Sequence, residues 1–510
     1  FLANITRFSS LASLTYNTML SYLLLALLFG LLWIFIKRDD RKLPPGPKGL
    51  PIVGYLPFLK SGFTERQLYD LSKKYGPVMT IPLGVHKCVV ISDFQIMKEF
   101  FSRNETAARP DLYSFKLFSE GGYPSSMFMS SGEEWQTLRR FSLRHLRDCG
   151  MGKSFIDDVM QIEVEGMSSK IRSSLGSPVQ FGPLFDLATL NVISNILIGK
   201  RLKKLNDDFA REIQNLFDSE HYFMVASLLS LLPSWLFNLV PSSIYGHKVM
   251  MRLINWLRKY SEENYDKAFN SYDDNHKRHF FDHFISEVLK QPDDNPENNF
   301  SKKGMSSLFI ELFSAGMQTT SVTMRFAVYY LTKYPEIQDR LYTEMKTEFG
   351  TSTRRHLNDK SRLPYMEAFI NELQRVSDIV PLAVFHSMSD DAELEGYTVP
   401  KGTILIPNLY ACHHDPKYWE DPHVFNPDRF LDGQGKLITN IEGLAPFSLG
   451  KRRCPGEALA RAELFLFVAN LVQEFTFHPS PGDEDFDLKL VSGTVIHPIY
   501  GGVSVRTRAT

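Results

Sequence analysis

Apolar positions recur at the three-and-four spacing of a helix along most of this chain. The pattern predicts helices over 64–75, 133–146, 155–175, 184–198, 207–217, 248–269, 308–333, 335–349, 366–377 and 455–475. β-rich pieces are short: 78–82, 88–91, 396–399, 403–407 and 502–505. The expectation is a mainly α fold with small β-sheets, with no internal repeat after Pro57. A polar run over 273–303 reads as a surface loop flanking one helix.

Two stretches break the amphipathic pattern by being apolar all round. From Phe8 to Ile36 there is no charged residue, and the densest part reads MLSYLLLALLFGLLWIFI. About 20 apolar residues at ~1.5 Å rise cross a bilayer's hydrocarbon core. Trp33 suits the interface, and Lys37, Arg38, Arg41 and Lys42 follow at once, which places the rest of the chain on the cytoplasmic side. A cleaved signal peptide fits less well, because the cations follow the apolar run and no small-residue cleavage site is evident. The predicted organisation is a transmembrane anchor over 1–36, a basic, proline-rich linker over 37–54 and one domain over 55–510. Pro44, Pro45 and Pro47 make that linker stiff and extended. In this topology the sequon at Asn4 faces the lumen, and those at Asn104 and Asn299 face the cytosol. The second uncharged stretch, 222–240, is broken by Pro233. It predicts two short apolar helices resting on the membrane or roofing a pocket.

Composition narrows the function. A formal charge of -1 over 510 residues offers no broad basic surface for nucleic acid. Thirty-nine Phe suggest a large aromatic core or apolar cavities. Cys88, Cys149, Cys412 and Cys454 are far apart and form no CxxC pair, which argues against a disulfide framework or a cysteine zinc site.

Cys454 stands in FSLGKRRCPGEALARAE, as Phe447-x-x-Gly450-x-Arg452-x-Cys454-x-Gly456. Each position has a task if the sulfur binds a haem iron. Gly450 and Gly456 let the backbone bend close to a flat macrocycle. Phe447 can cover the sulfur, and Arg452 can pair with a propionate. A helix starting near Pro455 points its amides at the sulfur and favours thiolate. A structural cysteine in a glycine-rich turn is the bland reading, and four spaced positions satisfied together outweigh it.

With this motif the chain resembles a cytochrome P-450, a haem-thiolate monooxygenase of the animal microsomal type. The resemblance runs from about Leu43 to the C-terminus, plus the anchor. It implies the α-helical haem domain of that fold, with haem b held by Cys454 as the axial metal ligand. Glu372 and Arg375 resemble the family's ExxR, and with Arg429 in Asn426-Pro427-Asp428-Arg429-Phe430 they imply its buried Glu–Arg–Arg lock. Trp135 and Arg139 resemble its WxxxR helix, whose indole and guanidinium face a propionate. His386 and Arg109 are further propionate candidates, and Ser387 stands where an Arg is usual. Ala315-Gly316-Met317-Gln318-Thr319-Thr320 falls where the family forms its oxygen cleft. There Ala315 and Gly316 give room, and Thr319 would hold oxygen and a water. Gln318 departs from the family, which commonly has Asp or Glu there, and an amide cannot supply a proton from a titrating carboxyl.

No flavin or nicotinamide fingerprint is evident, so the resemblance implies electrons from NADPH through a separate reductase, cytochrome b5 being a further donor. Arg140, Arg144, Arg147, Lys451 and Arg453 form a candidate basic docking patch. The expected enzyme sits in the endoplasmic reticulum membrane and oxygenates a small apolar molecule: a steroid, terpenoid, fatty acid or xenobiotic. The same resemblance implies pocket walls at 115–129, 222–240, 308–314, 380–385 and 490–495. Two alternatives stay open: a haem-thiolate isomerase or dehydratase needing no external electrons, to which Gln318 lends weight, and a non-catalytic membrane haem protein.

Overall fold

The structure is a computed structural model. It describes residues 43–510 apart from 61–63, 125, 150–153, 203–211, 213–214, 216–218, 292–297, 351–353, 484 and 509–510, together with Met19, Tyr22 and Gly30. The predicted anchor over 1–36, its basic flank and most of the helix over 207–217 lie outside the described residues.

The observed protein is mostly helical with small sheets, as the periodicity predicts. Its centre is the long helix Lys302–Lys333, packed against Phe181–Ile198, His247–Asn270 and Glu457–Glu474. Helix Phe181–Ile198 is long and apolar enough to cross a membrane, yet its residues are mostly buried inside the protein. It carries apolar side chains on every face because it is wrapped on every face, the pattern of a core helix. Each Leu or Ile so buried contributes roughly 1.5–3 kcal/mol of transfer free energy.

Four strands form the largest sheet, in the order Val78–Leu83, His86–Ile91, Ile404–Pro407, His386–Ser387. The first two make an antiparallel hairpin, His86–Ile91 runs parallel to Ile404–Pro407, and His386 pairs with Leu405 at the edge. This register fixes the position of His386 in the buried interior, where it is 3% exposed.

The last predicted helix, 455–475, is Glu457–Glu474, and the chain then turns into strand Phe475–Pro479. Apolar content alone does not mark that switch. It is decided by pairing, since Phe475–Pro479 runs antiparallel to Val503–Thr507. Two helices, Glu220–Leu229 and Ser234–Phe237, meet at Pro233 as the uncharged stretch predicts. Trp235, Leu239 and Ile244 at this bend are 60%, 71% and 54% exposed.

Candidate functional site

The cysteine loop is held from three sides. The Cys454 N–H donates to the Phe447 carbonyl at 2.9 Å, the Arg453 N–H to Gly450, and the Lys451 N–H to Phe101 at 3.0 Å. Gly450 has φ +73, and a Cβ there would meet the Phe101 carbonyl oxygen at 2.0 Å. Only glycine lets the loop press this closely on its neighbour. Gly456 caps helix Glu457–Glu474, and its N–H hydrogen-bonds the Cys454 sulfur. Arg461 lies over the Phe447 ring, 5.3 Å from its centroid.

Cys454 is solvent-accessible although protein crowds it closely. Both hold for a sulfur that looks into an opening between packed elements. The sequence predicts a stabilised thiolate here. In the structure burial pushes the thiol pKa up, and the Gly456 N–H, Arg139 and Arg453 pull against it. The helix start therefore tempers the cost of the thiolate without overcoming burial, and a coordinated metal ion removes the proton outright.

Around this sulfur the fold gathers cations. Arg452 is anchored to the carbonyls of Ala107 at 2.8 Å, Met127 at 3.0 Å and Ser130, and lies 4.1 Å from the Trp135 ring centroid. Arg109 donates to Phe128 at 2.8 Å and through Nη1 to Val384 at 3.0 Å and Phe385 at 2.8 Å. Arg139 donates to the Arg453 carbonyl at 2.6 Å. A guanidinium has five N–H groups, so each of the three keeps donors to spare. Burial, with Arg109 and Arg139 as like-charged neighbours, pushes Arg452 down to about 8. Burial pushes Arg109 down to about 10. The buried Trp135 Nε1 has no hydrogen-bond partner. His386 donates from Nδ1 to the Thr106 carbonyl at 2.8 Å, and burial holds its pKa well below the usual value. Its Nε2 is then free to accept, and donates only when the ring is protonated.

Among the described residues the carboxylate that offsets Arg109 and Arg452 is Glu311, one the sequence reading does not single out. Burial pushes Glu311 up to about 7, against the Phe128 N–H it accepts at 2.8 Å. Three guanidiniums and an orphaned indole N–H, against one acid that burial pushes up to about 7, form a donor set with more positive than negative charge. Two propionates would fit that set, and the adjoining sulfur would fit as a ligand to haem iron.

Within the long helix, buried side chains give way at Ala315, which is exposed although its helix is core on both sides. Gly316 presses on Ile193, whose Cγ1 would stand 3.0 Å from an added Cβ. Thr319 donates its hydroxyl proton to the Ala315 carbonyl at 2.9 Å, so its lone pairs face outward as acceptors. The Gln318 Nε2 is buried without a partner.

The predicted lock is assembled and closed. Arg375 meets Glu372 through two bonds of 2.7 and 2.8 Å, both side chains being 0% exposed. Arg429 reaches the same carboxylate at 3.1 Å, and Arg375 also donates to the His413 and Pro422 carbonyls. His413, absent from the sequence reading, carries this network onward: its Nδ1 donates to Asp378 at 2.9 Å and its Nε2 accepts the Ala445 N–H at 3.0 Å. The helix of Glu372 is thereby tied to the chain leading into the cysteine loop.

A cleft of about 650 Å³ lies elsewhere, between Phe181, Asp186, His221, Arg325 and the segment from Val491 to Val503. No residue of the cysteine loop or of the cation cluster lines it.

Comparison with known proteins shows the family to which the chain belongs. A family model described as Cytochrome P450 matches residues 44–500. Cytochrome P450 2L1 of Panulirus argus is 35% identical over 454 residues, covering 88% of this chain and 91% of that protein. Cytochrome P450 2B4 of Oryctolagus cuniculus is 34% identical over 481 residues, 91% of this chain and 94% of the relative. Cytochrome P450 2J2 of Homo sapiens is 34% identical over 481 residues, covering 91% of each. Haem b on an axial cysteine thiolate is the cofactor of that family. The chain belongs to the cytochrome P450 family and is, at the level of that family, a monooxygenase.

Proposed function

We propose that Cys454 is the axial thiolate and that the chain inserts one oxygen atom of O2 into a small apolar molecule, a steroid, terpenoid, fatty acid or xenobiotic. When bound, haem supplies the iron chemistry that divides O2, and a thiolate ligand favours the O–O cleavage. The observation that carries this reading is the union of an accessible sulfur with three guanidiniums, two of which are offset by a single acid that burial pushes up to about 7.

The chain's own residues have separable tasks. Arg109, Arg139, Arg452 and Trp135 hold two carboxylates through charge-assisted and indole hydrogen bonds, with His386 at their edge. Phe447, Gly450 and Gly456 shape the turn that presents the sulfur, Phe447 by accepting the Cys454 N–H. Ala315, exposed in mid-helix, leaves room for a small ligand, and Gly316 lets the helix pack closely on Ile193. Thr319, its proton given to Ala315, accepts a hydrogen bond from a water and so positions a proton source. Gln318 orients that water and cannot itself titrate. Glu372, Arg375 and Arg429 hold the supporting loops.

In the proposed organisation, 1–36 anchor the chain in the endoplasmic reticulum membrane, 37–54 link and 55–510 catalyse on the cytoplasmic side. The uncharged run from Phe8 to Ile36 and the exposed Trp235, Leu239 and Ile244 support contact with lipid. The proposed electron donor is an NADPH-dependent reductase docking on Arg140, Arg144 and Arg147, all exposed on one helix. Lys451 and Arg453 contribute less, because they are engaged by Asn104 and by Glu457. Reconstitution with such a reductase tests the proposal. It predicts substrate-dependent consumption of NADPH and O2 and a product heavier by one oxygen atom. Rearrangement of a peroxide without NADPH would favour the isomerase alternative that Gln318 keeps in view.

A further inference from the structure

Away from the cysteine loop, two helices bring a second set of ligating atoms together. Helix Gly132–Asp148 ends in His145 and Asp148, three residues apart on one face. Helix Phe280–Val288 presents His283 against them. The His145 and His283 rings are stacked, with centroids 4.5 Å apart. One ligand atom from each of His145, Asp148 and His283 lies within 4.8 Å of the others, the one such group among the described residues. Nothing in the reaction above uses them.

The helices are fixed relative to each other by a cluster of rings just beneath. Phe141 lies one turn before His145 and meets Phe280 at 5.4 Å, Phe284 at 5.6 Å and Phe300 at 5.3 Å. The histidines are therefore brought together by packing and not by a bond between them. The Nδ1 of His145 is buried and stands 3.2 Å from Asp148 Oδ2, so the imidazole and the carboxylate already face each other. Two donor atoms on a tetrahedral ion at ~2.1 Å stand about 3.3 Å apart, so this pair already has the spacing of ligands. Small rotations of the exposed Asp148 and half-buried His283 bring in the third.

We propose that His145, Asp148 and His283 form a binding site for a divalent transition-metal ion of the zinc class, with water in the fourth position. Two imidazoles and a carboxylate are a donor set that suits zinc. Burial keeps both rings in the neutral, ligating form, His283 being pushed down to about 4. Around the pair, Glu287, Asp282 and Asp148 favour a cation, while Arg144 and Lys277 oppose one. The ion would clamp the C-terminal end of the helix that carries Trp135 and Arg139 to a helix far away in sequence.

The test uses the full-length, untagged holoenzyme, in which Cys454 is engaged. It is dialysed to equilibrium against Zn2+, and bound zinc is counted. We expect about one ion per chain, absent in His283→Ala at the zinc concentration that half-saturates the wild type. Asp148→Asn alters an exposed side chain and should weaken zinc binding by about tenfold while the haem spectrum stays that of the wild type. Zinc should also raise the melting temperature of the wild type and leave that of His283→Gln unmoved. Equal zinc content in wild type, His283→Ala and Asp148→Asn would overturn the proposal.

Discussion

Two arginine clusters in this protein have opposite bookkeeping. In the lock, Arg375 and Arg429 converge on Glu372, and carbonyls of the surrounding loops take up the remaining donors. Around the cysteine loop, Arg109 and Arg452 face one carboxyl that burial pushes up to about 7, Arg139 lies by the sulfur, and the Trp135 N–H has no partner. The first cluster is complete within the chain. The second is satisfied only when anions are added. A buried ion network that closes on itself serves architecture, and one that stays open to an anion marks a binding site. The contrast separates the two roles more sharply than residue type does, since arginine dominates both.

Opening the closed cluster has the largest expected effect. Arg375→Ala leaves Glu372, at 0% exposure, with Arg429 as its one remaining cation, and removing one partner of a buried pair costs up to roughly 3–5 kcal/mol. We expect little haem-loaded protein and a steep fall in thermal stability, measured on purified material. Filling the role of the open cluster less well has a smaller and more selective effect. Trp135→Phe removes one hydrogen-bond donor and keeps the ring beside Arg452. It should weaken haem retention by about 1–1.5 kcal/mol, close to tenfold in the haem dissociation rate, while the lock and the apoprotein melting point stay as they are. A fall in apoprotein stability equal to that of Arg375→Ala would erase the distinction.

Glu311 sharpens the comparison through pH. Its carboxyl is pushed up to about 7 in the folded protein from a usual value of 4.5. The folded state therefore holds this proton more tightly than the unfolded chain. That contribution is full below about 4.5, shrinks as pH rises towards 7 and is lost above it. The stability difference between wild type and Glu311→Gln, followed by thermal unfolding across this window, should drift against the wild type as pH rises. A flat difference would mean that Glu311 is ionised throughout and that its cations are already neutralised.

The smallest expected effect lies outside both clusters. Reversing charge at Arg140 and Arg144 should slow reduction by the reductase and flatten its salt dependence, with haem content unchanged. Unaltered reduction kinetics would place docking elsewhere.

What the sequence discloses follows the range over which each feature is encoded. The cysteine loop is legible because glycine, proline and cation spacing specify a tight turn locally, with Gly450 at φ +73, although the Phe101 carbonyl that presses on it comes from far away in sequence. Helix 335–349 is legible to the residue, with Pro335 at its start and Gly350 after its end. Glu311 is not, because a glutamate in an apolar helix gains meaning only when Phe128 and two arginines from other segments surround it. His413 is silent for the same reason, since its partners are Asp378 and Ala445. The end of helix Glu457–Glu474 is legible to within one residue, but the strand Phe475–Pro479 that follows is hidden because it depends on a partner near the C-terminus.

The central claim is that the sulfur at position 454 holds haem iron inside the open cluster. The most direct measurement is the absorption spectrum of the reduced, carbon-monoxide-treated protein, taken for wild type and for Cys454→Ser at equal haem content. The account predicts the red-displaced thiolate band in the wild type and its loss in the variant. A serine variant that keeps the band, or a wild type without it, would contradict the account.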